Sequence, residues 1–395
     1  MSTDVVMSHG RRTPFGDFGK SLVNVPGTEL GTHAARETLK ACGLSADRVD
    51  HLVCGNVVPV DQGGYFASRV IALNAGMRED SRALNVSRAC GSGTQAIVSA
   101  AEQILTGHGE IALAGGYENT SRAPYAVTGG RWGLKRGDGR MVDTIDYAYR
   151  DPFDLTLMGG TAESLAEEFG YERGAMDEYA LLSQQRAEAA RQSGFLGRQI
   201  APLAVPEQHG DRLFAKDEYP RPDTTLGKLQ SLPPVFKAGG CVTAGNASGM
   251  TDGAAFVVVA RESAARDAGL DVRARLVDWE VVGVPPRIMG CGPVPAIANL
   301  LGRRQLHIDD IDYFEINEAF AVINLHAEAE LGVPRDRCNL YGGGISLGHP
   351  PGATGVRMAL TAMDHLNDSG GRYAVLSMCL GAGQGMAVLL EGLER

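Results

Sequence analysis

Two hydrophobic periodicities alternate along this chain. Runs that are apolar nearly throughout, such as HLVCGNVV (51–58) and EIALAGGYE (110–118), predict buried strands, as do parts of IDDIDYFEINEAFA (308–321) and RYAVLSMCLGAGQGMAVLLE (372–391). Apolar positions three and four apart predict helices instead, over ELGTHAARETLKACG (29–43), closed by Gly43, and over ATGVRMALTAMDHLN (353–367). Strands alternating with helices in this way predict an α/β architecture in which helices cover a sheet.

The two ends of the chain also echo each other. VDHLVCGNV (49–57) and IDYFEINEA (311–319) share an acidic entry, an apolar middle and a polar exit, and SGMTDGAAFVVVA (248–260) is echoed by LGAGQGMAVLLE (380–391). Two related halves follow as the expectation, although α/β chains show such echoes without duplication. Residues 1–119 with 248–271 would form the first half and residues 272–395 the second. Residues 120–247 read as an insertion. They hold the Gly- and Arg-rich TSRAPYAVTGGRWGLKRGDGR, a helix over 172–194 and the Pro-rich DEYPRPDTTLGKLQSLPPVF. An insertion with so little strand pattern usually carries binding or assembly.

Composition narrows the class. At 395 residues with 44% hydrophobic and 21% charged positions, the chain has ample material for a large core. A net charge of −10 argues against a nucleic-acid-binding surface, while leaving room for a local basic patch that meets a phosphorylated ligand. The start, MSTDVVMSHGRRTPFG, lacks a basic region followed by an apolar run, and no segment reaches the roughly 20 apolar residues that cross a bilayer. A soluble cytoplasmic protein is expected, with no membrane partner. Seven scattered cysteines with no C-x-x-C pair argue against a disulfide framework or structural zinc.

Four constellations carry candidate chemistry. In SRACGSGTQAI (87–97), Cys90 precedes a helix marked by Ile97, Ala100, Ala101 and Ile104. Free N–H groups at a helix start favour a thiolate, lowering a pKa of about 8.5 in a free thiol, although a small cysteine at a strand–helix junction can equally be packing. His349 lies between glycines and prolines in NLYGGGISLGHPPGATG (339–355), where a residue titrating near neutrality suits general-base work. Cys379 ends an apolar run in MCLGAGQGM (378–386), followed by Gly381, whose N–H could bind an oxyanion. Asn317 and Glu318 stand at the end of a strand pattern in EINEAFA (315–321); Glu318 could simply cap the next helix.

Two look-alikes fail. PFGDFGKS (14–21) has proline where a P-loop needs its first glycine, and GISLG (344–348) is followed by His349 and two prolines where an elbow serine needs an unbroken helix.

Taken in order, CGSG, VTAGNASGMTDGAA (242–255), NEAFA, LGHPPGATG and CLGAGQG resemble the thiolases, which make or cleave 3-ketoacyl-CoA as acyl-CoA C-acyltransferases. RRTPFGDFGKSL and PPRIMGCGPVPA (285–296) look like the same family, so the likeness spans nearly the whole chain. The resemblance implies the thiolase fold, two similar α/β/α/β/α-layered halves with a loop domain inserted in the first. It also implies ping-pong acyl transfer through an acylated Cys90, a part in fatty-acid β-oxidation or its reverse, and a dimer or tetramer with tetramer contacts near 121–145.

By the same likeness His349 takes the Cys90 proton and Cys379 exchanges a proton with the acetyl α-carbon. Asn317, through a water, and His349 would form one oxyanion hole, and the N–H groups of Cys90 and Gly381 the other. Arg221, Leu232, Phe236, Ala244 and Ser248 would contact coenzyme A, with Met158, Ala319 and Phe320 nearer the thioester. Coenzyme A enters as substrate, and no metal or redox cofactor is implied. Three departures stand out: Leu157 where many short-chain thiolases have histidine, Lys228 where a serine is frequent, and SRAC ahead of the nucleophile. A decarboxylating ketosynthase relative is disfavoured because Asn317 and Cys379 occupy positions where it would offer histidines. A silent coenzyme A-binding protein on the same fold is disfavoured because every catalytic position is intact.

Overall fold

A computed structural model describes residues 5–208 and 210–393. Nine strands run through one path: β1 (Val5–Arg12), β2 (His51–Gly55), β3 (Arg82–Val86), β4 (Ile111–Glu118), β5 (Thr251–Arg261), β6 (Ala274–Gly283), β7 (Tyr313–Ile316), β8 (Tyr373–Leu380) and β9 (Gln384–Gly392). Their order is β7-β8-β9-β6-β1-β5-β4-β2-β3, and a two-residue strand, Gly16–Asp17, pairs with β5 off this path.

The path is two copies of one pattern. In the first half β3, β2 and β4 are parallel, and β5 and β1 follow antiparallel. In the second half β7 and β8 are parallel, and β9 and β6 follow antiparallel. The copies meet where β1 pairs with β6 through Val6↔Arg275 and Met7↔Ala274. The counterpart of β3 is reduced to the single parallel bridge Phe314↔Cys338. The echoes in the sequence are thus equivalent strands, β2 with β7 and β5 with β9.

Seven principal helices complete the layers: α1 (Gly27–Cys42), α2 (Ser92–Leu105), α3 (Met158–Phe169), α4 (Arg173–Gln192), α5 (Pro293–Arg304), α6 (Ala321–Leu331) and α7 (Pro351–Ser369). Helix α1 ends at Gly43, whose φ of 60° is the left-handed conformation that closes helices without strain. Side-chain alternation assigns the faces. Phe256 and Val258 of β5 pack with Leu30 and Ala34 of α1, whereas Val257 and Val259 pack with Ile97 of α2 and Val356 of α7. In the second half Leu376 and Val388 join that same α2/α7 cluster, while Val375 and Leu389 face α5 and α6. Five layers result across the whole molecule, and the α2/α7 layer belongs to both halves.

Helices α2 and α7 can share one layer because glycine lines their contact. A Cβ on Gly93 would stand 2.7 Å from the Gly352 carbonyl, and one on Gly355 would collide with the Thr94 hydroxyl and N–H. Only backbone fits there. The two helix N-termini are thereby held side by side.

The insertion packs its apolar side chains into cores that the halves already own. Leu165 of α3 and Met176 and Tyr179 of α4 are buried with Leu300 and Ile323. Asp217 of the insertion forms a bidentate pair with the fully buried Arg12 at 2.6 and 2.8 Å and accepts the Phe15 N–H at 2.8 Å. Among the described residues no helix is long and apolar enough to cross a membrane.

Candidate active site

Cys90 and His349 occupy the same relative position, each two residues before the first residue of its helix, α2 at Ser92 and α7 at Pro351. The turn into α2 is tight. Ala89 takes a left-handed φ of 45°, and Ser92 clamps the bend by accepting the Arg88 N–H at 2.9 Å and donating to the Ala89 carbonyl at 2.7 Å. Such strain in a non-glycine residue is held in place by its surroundings. Opposite it, β8 and β9 turn through Gly381, Ala382 and Gly383, with Ala382 also left-handed at φ 66°. This brings the Gly381 N–H to the Cys90 sulfur, where the N–H of Cys90 itself also points.

Those two donors stabilise the thiolate, but they do not win. Burial outweighs them and pushes the Cys90 thiol up to about 11. The expectation of a depressed pKa at a helix start is therefore corrected: the second half packs around Cys90, which stays half-buried in the cavity wall, and strips away much of the water a thiolate would need. Cys379 is fully buried behind it, and its thiol is pushed well above the ordinary value, by burial first and by Cys90 second. Both sulfurs rest as thiols.

His349 is 5% exposed and its pKa falls to about 3, because burial and then the Arg357 charge disfavour an imidazolium. It is a neutral imidazole, and so an acceptor of protons rather than a charge partner. Its Nδ1 lies 2.7 Å from the Thr354 hydroxyl, and its Nε2 lies 3.4 Å from the Asn317 side-chain nitrogen. Asn317 follows β7, tied by its N–H to the Ser377 carbonyl at 2.9 Å, and its side-chain oxygen is buried with no protein partner.

Glu318 does not cap α6, the helix that follows it. The N-cap of α6 is Phe320, while the buried Glu318 carboxylate accepts from Ser183 at 2.6 Å, from Asn339 at 3.1 Å and from the Ile345 N–H at 3.2 Å. It binds the His349 loop to α4. Ser346, the elbow look-alike, is fully buried beside Ser183 at 2.8 Å, with no nucleophile's access.

A cavity of about 450 Å³ opens over this group. Cys90, His349, Met158, Phe236, Ala244, Ser248, Ala319 and Phe320, all named from the sequence, line it. Asn317 and Cys379 stand just beneath, each at most 1% exposed. Leu232 packs against Gly245 beside the lining, and Arg221 stands at the surface with its guanidinium 5.3 Å over the Tyr219 ring, which does line the cavity. Lys228 turns to its neighbour Asp223 at 3.3 Å in an exposed pair. Ile145, Tyr149, Val235, Met250 and Met289 are lining residues that sequence reading missed. Ile145 and Tyr149 come from one short helix and its end, outside any motif, whereas Met250 falls within VTAGNASGMTDGAA and Met289 within PPRIMGCGPVPA.

Sequence reading also missed Glu118. This buried carboxylate ends β4 and accepts from the N–H groups of Val58 at 2.8 Å and of Gly352 in the first turn of α7 at 3.1 Å. Burial raises it to about 7 against those donors.

A half-buried thiol, a neutral imidazole and a second, buried thiol, facing backbone N–H groups at the mouths of paired helices, are the equipment of an enzyme that moves acyl groups through a thioester. The relatives agree. Residues 5–263 match the family model described as Thiolase, N-terminal domain, and residues 270–392 match Thiolase, C-terminal domain. The beta-ketothiolase BktB of Cupriavidus necator is 45% identical over 392 residues, covering 99% of this chain and 100% of that protein. The human mitochondrial 3-ketoacyl-CoA thiolase is 41% identical over 382 residues, 96% of each chain. Its crystal structure in complex with CoA superposes with a TM-score of 0.96, covering 100% of this chain and 99% of that one. The chain belongs to the thiolase family and is an acyltransferase.

Proposed function

We propose that this thiolase makes and cleaves 3-ketoacyl-CoA through an acyl group carried on Cys90. In the degradative sense Cys90 passes its proton to Nε2 of His349 as its sulfur attacks the 3-keto carbon. The carbon–carbon bond then breaks, and acetyl-CoA leaves as a carbanion that Cys379 protonates. Incoming coenzyme A gives its thiol proton to the Cys379 thiolate as its sulfur takes the acyl group, and Cys90 leaves as it regains its own proton from His349. The synthetic sense reverses these steps. The thioester stabilises the α-carbanion, so the chemistry asks for no metal or redox cofactor.

The observation that carries this reading is the pair of N–H groups, from Cys90 and Gly381, converging on the sulfur. An oxyanion formed one bond from that sulfur meets donors that are already oriented. Asn317 and His349 supply the second set, for the thioester oxygen of the enolate. The lining around Met158, Ala319 and Phe320 suits an acyl group and pantetheine, and Leu157 makes that wall apolar. Arg221, Leu232, Phe236, Ala244 and Ser248 are read as the coenzyme A contacts, with Arg221 outermost toward the nucleotide. A cytoplasmic dimer or tetramer working in fatty-acid β-oxidation completes the proposal.

Intact mass after mixing with acetyl-CoA tests it. One acetyl group is expected on the wild-type chain and none on Cys90→Ala; acetylation that survives that substitution would overturn the assignment.

A further inference from the structure

Thr354 has one hydroxyl proton and two neighbours that compete for it. Its Oγ1 lies 2.9 Å from the Pro350 carbonyl and 2.7 Å from Nδ1 of His349, and all three groups are buried. If that proton went to Nδ1, the Thr354 and Pro350 oxygens would face each other at 2.9 Å with no hydrogen between them, so it goes to the Pro350 carbonyl, which also takes the N–H groups of Ala353 and Thr354 at 2.9 Å each. The same hydroxyl then faces Nδ1 with a lone pair, and Nδ1 must be the nitrogen that carries hydrogen. With the imidazole neutral, Nε2 is left bare on the cavity side.

We infer that Thr354 is a positioning residue that fixes the tautomer of His349, holding hydrogen on Nδ1 so that Nε2 stands ready to receive the Cys90 proton. The inference rests on His349 being the base, and it adds what makes that base usable before substrate arrives. The first turn of α7 supplies the device. Pro350 is the N-cap, and its carbonyl accepts the Thr354 hydroxyl four residues on, together with the N–H groups of Ala353 and Thr354. Asn317 fits the same assignment, since its side-chain nitrogen, 3.4 Å from Nε2, is a donor facing a bare acceptor. Without the Thr354 oxygen the opposite tautomer would gain a partner. The Asn317 oxygen, now buried and unpaired, could accept a hydrogen on Nε2 after one amide turn, and the base would be blocked.

Nitrogen NMR of full-length enzyme labelled with ¹⁵N-histidine reads the tautomer directly, and Cys90→Ala and His349→Ala measured beside it keep the two claims apart. The wild type is expected to show a protonated Nδ1 and a bare Nε2 at His349. Thr354→Ser should keep that pattern and acylate Cys90 within about threefold of wild type. Thr354→Val should lose the pattern and acylate at least about a hundredfold more slowly, the scale of a lost general base. Hydrogen on Nε2 in the wild type, or rapid acylation by Thr354→Val, would overturn the inference while leaving the base assignment standing. Unimpaired acylation by His349→Ala would instead remove the assignment on which it rests. The wild-type spectrum decides the matter even where Thr354→Val fails to fold.

Discussion

At the residue scale, the two groups proposed to exchange a proton are both held neutral. With Cys90 pushed up to about 11 and His349 down to about 3, both favour their neutral forms, and the proposed proton transfer accompanies attack by the sulfur. This has a measurable sign. Below its pKa a thiol gains thiolate tenfold per pH unit, so alkylation of Cys90 by iodoacetamide, followed by peptide mass, should climb about tenfold per unit from pH 7 to about pH 10. A plateau near neutrality would show that a thiolate–imidazolium pair forms at rest. That Cys90, His349, Asn317 and Cys379 would gather at one cavity was legible because each sits in a short motif at a strand end or helix start, three of the four flanked by glycine. Their protonation was not. A helix start argues for a low thiol pKa, and only the burial imposed by residues hundreds of positions away reverses it.

At the element scale, the contact between α2 and α7 sets the distance between Cys90 and His349, the proposed nucleophile and base. Gly93, Gly352 and Gly355 let the helices approach to backbone contact, and a methyl at Gly355 meets the N–H and hydroxyl of Thr94. Gly355→Ala should therefore destabilise the protein by about 2–3 kcal/mol in urea unfolding, the range for an overpacked core. Acylation should fall by more than stability explains, because the helix starts separate. Full activity in a stably folded Gly355→Ala protein would show that the spacing is not set there. The helix itself was legible from its 3.6-residue period. Its closest neighbour was not, since GATG reads equally well as a flexible entry to a helix.

At the scale of the whole molecule, the halves share the α2/α7 layer, in which Ile97, Val257, Val356, Leu376 and Val388 form one core. Neither half closes without the other. Residues 1–271 and 272–395 expressed separately should give no cooperative thermal transition, and mixing them should restore one. A cooperative melt from either fragment alone would mean that each half owns a complete core. Duplication was legible from the strand echoes, because equivalent strands face equivalent surroundings. The reduction of one outer strand to the Phe314↔Cys338 bridge was not, since no apolar run marks its place.

The equal placement of Cys90 and His349 ahead of α2 and α7 gives the site an origin in symmetry. A doubled chain folded about a pseudo-twofold axis presents two matching helix starts across one gap, a palindrome in space with nothing to tell its halves apart. Placing sulfur at one start and imidazole at the other breaks that palindrome, and turns a seam between copies into a direction along which a proton can travel.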